Sequence, residues 1–200
     1  EGVTVATFLY YPVQIFVDSK QSIYIADTAN NSVVKWEHGK QNGKIVVSTR
    51  KRCEGVFVDE HGYIYVAETD RHCIVKYGPH SSSNGTVVAG ICDRNGSSLS
   101  QLSSPAGIYV TTNGTMYIAD RNNHRVQKWN AHASEGVTVA GTGSSGNDLA
   151  SLSYPRQVIV DQQGTLYIAD SVNHRVLQWE AEYVAGKIIV GGKCVDATIN

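Results

Sequence analysis

The chain has 200 residues, 42% of them hydrophobic and 18% charged, with a formal net charge of −1. That balance is ordinary for a folded globular chain and supplies no overall field for nucleic acid or an anionic membrane. No apolar run approaches the roughly 18 residues of a membrane-spanning helix.

The first residues, Glu1-Gly-Val-Thr-Val5, have neither the basic nor the apolar region of a signal peptide. They begin without Met, so the chain reads as a processed product or an excised piece. Val3-Thr-Val-Ala-Thr7 alternates and is rich in β-branched residues, which predicts a strand. The apolar run Ile15-Phe-Val17, a turn at Asp18-Ser-Lys-Gln21, and a nearly all-apolar stretch from Ser22 to Ala26 follow. After Asp27-x-x-Asn30 the pattern alternates again to Trp36, and Lys44-Ile-Val-Val-Ser48 closes the unit.

The same order recurs three times. Its short runs are Val56–Val58, Ile108–Val110 and Val158–Val160, and its turns end in Gly62, Gly114 and Gly164. Four-residue turns ending in Gly are hairpin signals. A strand with no polar face, such as Tyr-Ile-Ala at 117–119 or 167–169, is covered on both faces. The acidic anchors Asp27, Glu68, Asp120 and Asp170 lie 41, 52 and 50 residues apart, and a period in this range marks a repeat architecture. No stretch has helical period and caps, although the loops at 98–102 and 149–152 have room for a helical turn.

Each unit is therefore a four-stranded meander, which cannot cover both its faces alone; copies stacked around an axis can, and that is a propeller. The fold class is all-β, with four blades at about 12–48, 53–90, 105–141 and 155–191 and an extra outer strand at 3–7. Tyr24, Tyr65, Tyr117 and Tyr167 share one repeat position, and Trp36, Tyr77, Trp129 and Trp179 another, so both columns are expected between blades. The chain is expected to be an open arc of a larger ring, or to self-associate through its end blades, because an uncovered blade face would expose a large apolar patch.

These units resemble the NHL family of β-propeller repeats. The resemblance rests on Tyr-Ile-Ala-Asp-x-x-Asn-His-Arg-Val at 117–126 and 167–176, with Pro-x-Gly/Gln at 105–107 and 155–157 before them. It covers nearly the whole chain, as a single NHL propeller domain or fragment over 1–200. It implies a ring usually of six blades. It also implies functions from several classes: protein or RNA binding, sensing, or, in a related lyase, zinc-dependent catalysis. Fold alone does not select among these.

Individual residues narrow the choice. The Asp-x-x-Asn spacing supplies oxygen ligands, but too few for calcium, and Asx side chains bonding their own backbone account for it better. His72, His124 and His174 share a repeat position and are the alternative metal ligands, as three histidines can hold a catalytic zinc. A residue repeated in most copies is more simply a repeat feature, so the reading is no metal and no cofactor. No Gly-x-Ser-x-Gly elbow, phosphate loop or His-Glu-x-x-His occurs, so catalysis is the lesser reading. Arg125 and Arg175 are read as pins for the Asp-x-x-Asn loops.

The one basic run is Thr49-Arg-Lys-Arg-Cys53. Its Arg50, Lys51 and Arg52, with Arg71, Arg94, Arg121 and Arg156, are expected to border one loop face as the ligand-binding residues. That surface suits a protein or peptide ligand; RNA is the alternative, since basic loops supply phosphate contacts. The predicted function is a non-catalytic binding scaffold, with an RNA-binding propeller or a zinc-dependent lyase or hydrolase as alternatives.

Asn30, Asn84, Asn95 and Asn113 lie in Asn-x-Ser/Thr sequons, which open a secreted, glycosylated reading; turn chemistry explains the same residues. Cys53 and Cys73 stand where later copies carry the pairs Pro105/Arg125 and Pro155/Arg175. That joint change predicts a disulfide between them, provided the loop before the inner strand curls over the blade's end. Partners for Cys92 and Cys194 are left open.

Overall fold

The computed structural model describes residues 3–79, 84–180 and 183–192. Cys194 lies outside them. Among the described residues, sixteen strands form four antiparallel sheets of four, each in simple meander order.

Blade one holds β1 (Pro12–Val17), β2 (Ile23–Asp27), β3 (Ser32–Trp36) and β4 (Lys44–Ser48). Blade two holds β5 (Gly55–Val58), β6 (Ile64–Glu68), β7 (Cys73–Tyr77) and β8 (Thr86–Gly90). Blade three holds β9 (Ile108–Val110), β10 (Met116–Asp120), β11 (Arg125–Trp129) and β12 (Val137–Ala140). Blade four holds β13 (Pro155–Val160), β14 (Leu166–Asp170), β15 (Arg175–Trp179) and β16 (Lys187–Gly191).

Residues 3–7, expected as an extra outer strand, join no sheet. Their alternation suits a strand, but Lys187–Gly191 already occupies the outer position of blade four. The loops at 98–102 and 149–152 hold turns and bends rather than helix. The short helical turns are 3-10 and sit in the acidic loops, at Thr28–Asn30, Thr69–Arg71 and Arg121–Asn123.

β6 and β10 are buried at every position, their apolar runs ending in the buried carboxylates of Glu68 and Asp120. The outer strands are edges, and all four blades shift register between their third and fourth strands, as at Val126/Gln127. Such bulges add twist and make an edge a poor template for a further strand.

Three apolar clusters join blade one to two, two to three, and three to four. Most of the Tyr and Trp columns lie in them: Tyr24 and Tyr77 in the first, Tyr65 and Trp129 in the second, Tyr117 and Trp179 in the third. Along the inner strands Phe16 meets Phe57 at 4.8 Å between ring centres, and Phe57 meets Tyr109 at 5.5 Å. The inner strands crowd at the axis, where a Cβ on Gly55 would fall 2.1 Å from the Ala106 carbonyl oxygen. Among the described residues, no strand of blade four packs on blade one to a comparable extent.

Candidate ligand-binding site

The repeated loops explain themselves first. Each Asp side chain serves two donors. One oxygen of Asp27, Asp120 and Asp170 accepts the side-chain amide of Asn30, Asn123 and Asn173 at 2.8 Å. The other accepts the backbone N–H of Tyr10, Ser103 and Ser153, in the segment leading into the same blade. In blades three and four Arg125 and Arg175 add a third donor at 2.8 and 2.7 Å. Their guanidinium forks also reach three loop carbonyls each, among them Ser97 and Asn147 at 2.8 Å. These oxygens are occupied by the fold. Burial pushes the Asp120 carboxyl up, against the donors that hold it down.

The histidines recur at one position of blades two, three and four. His72, His124 and His174 all have positive φ, as does Asn31 at the same place in blade one. The Nδ1 of His72 accepts the N–H of Ser104 at 3.0 Å, and that of His124 accepts the N–H of Tyr154 at 3.2 Å. Each thus ties its blade to the lead-in of the next. Burial lowers the His124 pKa below the usual 6.5 and favours the neutral ring that can accept. The weak metal alternative, His72 with His124 and His174, is not assembled. Among the described residues no three His, Cys, Asp or Glu are placed to hold an ion.

A charged cluster does assemble at the axis. Register places Val13, Glu54, Ala106 and Arg156 at one position of the four inner strands. All four line a cavity of about 380 Å³. Glu54 is 4% exposed. Arg121, from the acidic loop of blade three, closes on it at 2.8 and 3.0 Å. Arg52 approaches at 3.4 Å and Arg156 at 3.6 Å. Arg52 also meets Asp70 at 3.2 Å, while its Nε is buried without a partner. Three guanidiniums from three blades therefore face one buried and one half-exposed carboxylate. They open on a mouth of about 450 Å³ that Tyr11, Asn122 and Tyr154 also line.

Four other predicted binding residues lie elsewhere. Lys51 pairs with Asp93 at 2.9 Å, and Arg71 spans Glu68 at 2.7 Å and Asp93 at 3.2 Å. Arg50 and Arg94 are exposed and form no ion pair among the described residues. The basic run thus divides: Arg52 turns to the axis, Lys51 to a loop carboxylate. Glu54 was missed by sequence reasoning, although it is the one acidic residue at a repeat position held elsewhere by Val13, Ala106 and Arg156.

The predicted Cys53–Cys73 disulfide is not formed. Cys73 bonds Cys92 with a Cα separation of 5.0 Å, and Cys53 is a buried free thiol. Cys73 pairs across the sheet with Gly90, so Cys92, two residues on, comes within reach at the blade's edge. Cys53 and Cys73 do share one buried cluster, which is as far as their joint change carries. Burial pushes the Cys53 thiol up to about 11. The sequon residues Asn30, Asn84, Asn95 and Asn113 are all exposed.

A second cavity, about 520 Å³, opens between blades two and three over Phe57, Val110 and Met116. It is larger than the axial mouth, but its cation is engaged: Lys76 lies over Tyr63 at 4.1 Å and Tyr65 at 4.9 Å and meets Asp59 at 3.9 Å. The axial cluster, with charge in excess of its partners, is the better candidate. No described helix is long and apolar enough to cross a membrane.

A family model described as NHL repeat matches residues 102–129 and 152–179. No curated protein matches the chain. Among solved structures, a streptogramin B lyase superposes with a TM-score of 0.63 at 16% identity, over 88% of this chain and 53% of that one. An auxiliary nutrient binding protein from Bacteroides thetaiotaomicron gives 0.66 at 15%, over 82% and 46%. The Kuenenia stuttgartiensis hydrazine synthase gives 0.65 at 18%, over 94% and 52%. The chain spans about half the length of each, and likeness at such identity shows the fold alone.

Proposed function

The chain carries NHL repeats folded as β-propeller blades, and on that footing we propose that it is a binding scaffold whose axial arginines receive a carboxylate-bearing segment of a peptide or protein. The observation that carries this reading is the convergence of Arg52, Arg121 and Arg156 on Glu54. A guanidinium takes a carboxylate bidentately. Arg156 and Arg52 keep about half of their side-chain surface open, at 53% and 42%. Both line the mouth, where an incoming carboxylate would compete with Glu54 and Asp70 for them while Arg121 stays on Glu54.

The size of the mouth favours one or two carboxylates over a nucleic-acid backbone. An RNA would be gripped by a row of phosphate contacts, each adding to the salt dependence. Lys51 and Arg71, which would extend such a row, are held by Asp93. The nutrient-binding and lyase titles among the structural neighbours belong to those proteins and show only that one scaffold serves several chemistries. The Cys73–Cys92 bond supports placing the chain in an oxidising compartment, which is also where the exposed sequons would be used.

Fluorescence anisotropy with a Glu-rich peptide and with a single-stranded RNA tests the reading. The peptide is expected to bind and Arg156→Ser to weaken it roughly tenfold, as expected for loss of a charge-assisted hydrogen-bond pair. Preferential binding of RNA, with a steep salt dependence, would replace this reading.

A further inference from the structure

We infer that the cavity between blades two and three is a binding site for a small hydrophobic amine, an aromatic body carrying one protonated nitrogen. The site is distinct from the axial arginines. Glu54 precedes β5 and Asp59 follows it, so the two sites lie at opposite ends of one strand.

The cavity is built from two blades that each have a neighbour on either side. Its floor is Phe57, Val110 and Met116, with Val88 and Ala133 beside them. Val110 and Met116 are buried members of the second apolar cluster, and Phe57, Val88 and Ala133 pack against it. Close-packed core side chains therefore wall a preformed space. Its volume of about 520 Å³ is that of a small-molecule site, concave and mostly apolar with a few polar groups at the rim.

A departure from the repeat leaves room there. The loop after β11 is pinned by Trp129, whose Nε1 donates to the Ala133 carbonyl at 2.9 Å. The same bond runs from Trp36 to Lys40 at 3.0 Å and from Trp179 to Tyr183 at 2.9 Å. The backbone thus follows one course in these blades, and blade three carries a methyl where blades one and four carry long side chains.

The rim sets the charge of the ligand. Asp59, Glu60 and Lys76 line it. Asp59 is already satisfied: it accepts the N–H groups of His61 and Tyr63 at 3.0 and 2.9 Å and the Tyr65 hydroxyl at 3.3 Å, and it meets Lys76 at 3.9 Å. Lys76 is engaged by Asp59 and by the faces of Tyr63 and Tyr65, which leaves it unavailable to an anion. Glu60 is different. Its side chain is 64% exposed, and it has no Lys or Arg partner among the described residues, only His61 at 3.9 Å. A protonated nitrogen on the Glu60 carboxylate, with its ring on Phe57 and Met116, satisfies both the rim and the floor. Aromatic and thioether side chains both favour contact with a ring.

Amide chemical-shift mapping with tryptamine tests the site, with tryptophol as the neutral and indole-3-acetate as the anionic relative of the same ring. Tryptamine is expected to shift amides within 57–61, 110–116 and 131–133. It is expected to bind roughly fivefold tighter than tryptophol, the upper range for an exposed ion pair, and indole-3-acetate more weakly than either. Glu60→Gln removes an exposed charge and is expected to bring tryptamine to the affinity of tryptophol. Ala133→Phe fills the space and is expected to abolish binding of both, with far-UV circular dichroism confirming that the variant is folded. Absence of tryptamine binding, shifts confined to other residues, tryptophol or indole-3-acetate binding as tightly as tryptamine, or an affinity unchanged by Glu60→Gln would overturn the proposal.

Discussion

The guanidinium of Arg121 on blade three closes on the carboxylate of Glu54 on blade two, 67 residues earlier, at 2.8 and 3.0 Å. Both side chains are nearly buried, so this is a paired internal charge rather than a surface contact. It ties two blades at the axis and fixes the site on which the functional reading rests.

Glu54→Gln keeps the shape and removes the charge that three guanidiniums face. Breaking a buried pair from one side costs roughly 3 kcal/mol or more, so the urea midpoint is expected to fall. Added sulfate is expected to restore part of the loss in the variant and to do little for the wild type. A variant as stable as the wild type would show that the pair does not hold the blades together.

Arg125 serves Asp120 and the Ser97, Ser98 and Gln101 carbonyls from one planar fork. Arg125→Lys keeps the charge but not the fork. Leaving buried acceptors unpaired is expected to cost about 2 kcal/mol. The loop before blade three should lose protection in hydrogen exchange before blade one does. Uniform loss across all blades would contradict a local pin.

The Cys73–Cys92 bond closes a span of 19 residues. In the chain-entropy account its reduction should cost about 3 kcal/mol. Cys53, buried and with its thiol pushed up to about 11, is expected to stay unlabelled by iodoacetamide near neutral pH until the protein unfolds. Peptide mapping checks both points, and rapid labelling of Cys53 in the folded chain would contradict its burial.

His124 has its pKa lowered by burial, and its neutral Nδ1 accepts the N–H of Tyr154. Above the usual 6.5 both folded and unfolded forms are neutral and the joint contributes fully. As pH falls through and below that value the unfolded chain takes the proton first, so stability drops. Comparing urea midpoints at about pH 7.5 and about pH 5.5, His124→Asn is expected to show a smaller drop than the wild type. An equal drop in both would remove His124 from the pH response.

The repeat was legible because one face-to-face packing problem is solved the same way in each blade. Ile118 and Ile168 share a position and are both fully buried, and Asp120 and Asp170 bind the same three kinds of donor. What the pattern hides is departure from the repeat. Blade two substitutes Glu68 and Tyr77 for Asp and Trp, and the Tyr77 hydroxyl donates to Glu68, a pairing with no counterpart among the other described blades. Cys53 and Cys73 share the places of a recurring residue pair, but place in the repeat is not proximity, and the sheet edge brings Cys92 rather than Cys53 to Cys73. Of seven predicted binding residues, Arg52, Arg121 and Arg156 meet; spacing along the chain does not say which cations the loops keep for their own carboxylates.

Titration calorimetry with a Glu-rich peptide tests the axial site most directly, using the wild type, Arg156→Ser and Arg50→Ser. Arg156 faces the cavity at the axis, whereas Arg50 lies in the basic run away from it. The account predicts binding that Arg156→Ser weakens roughly tenfold, about 1.4 kcal/mol, and that Arg50→Ser leaves unchanged. Equal affinity for the wild type and Arg156→Ser, or a loss confined to Arg50→Ser, would contradict it.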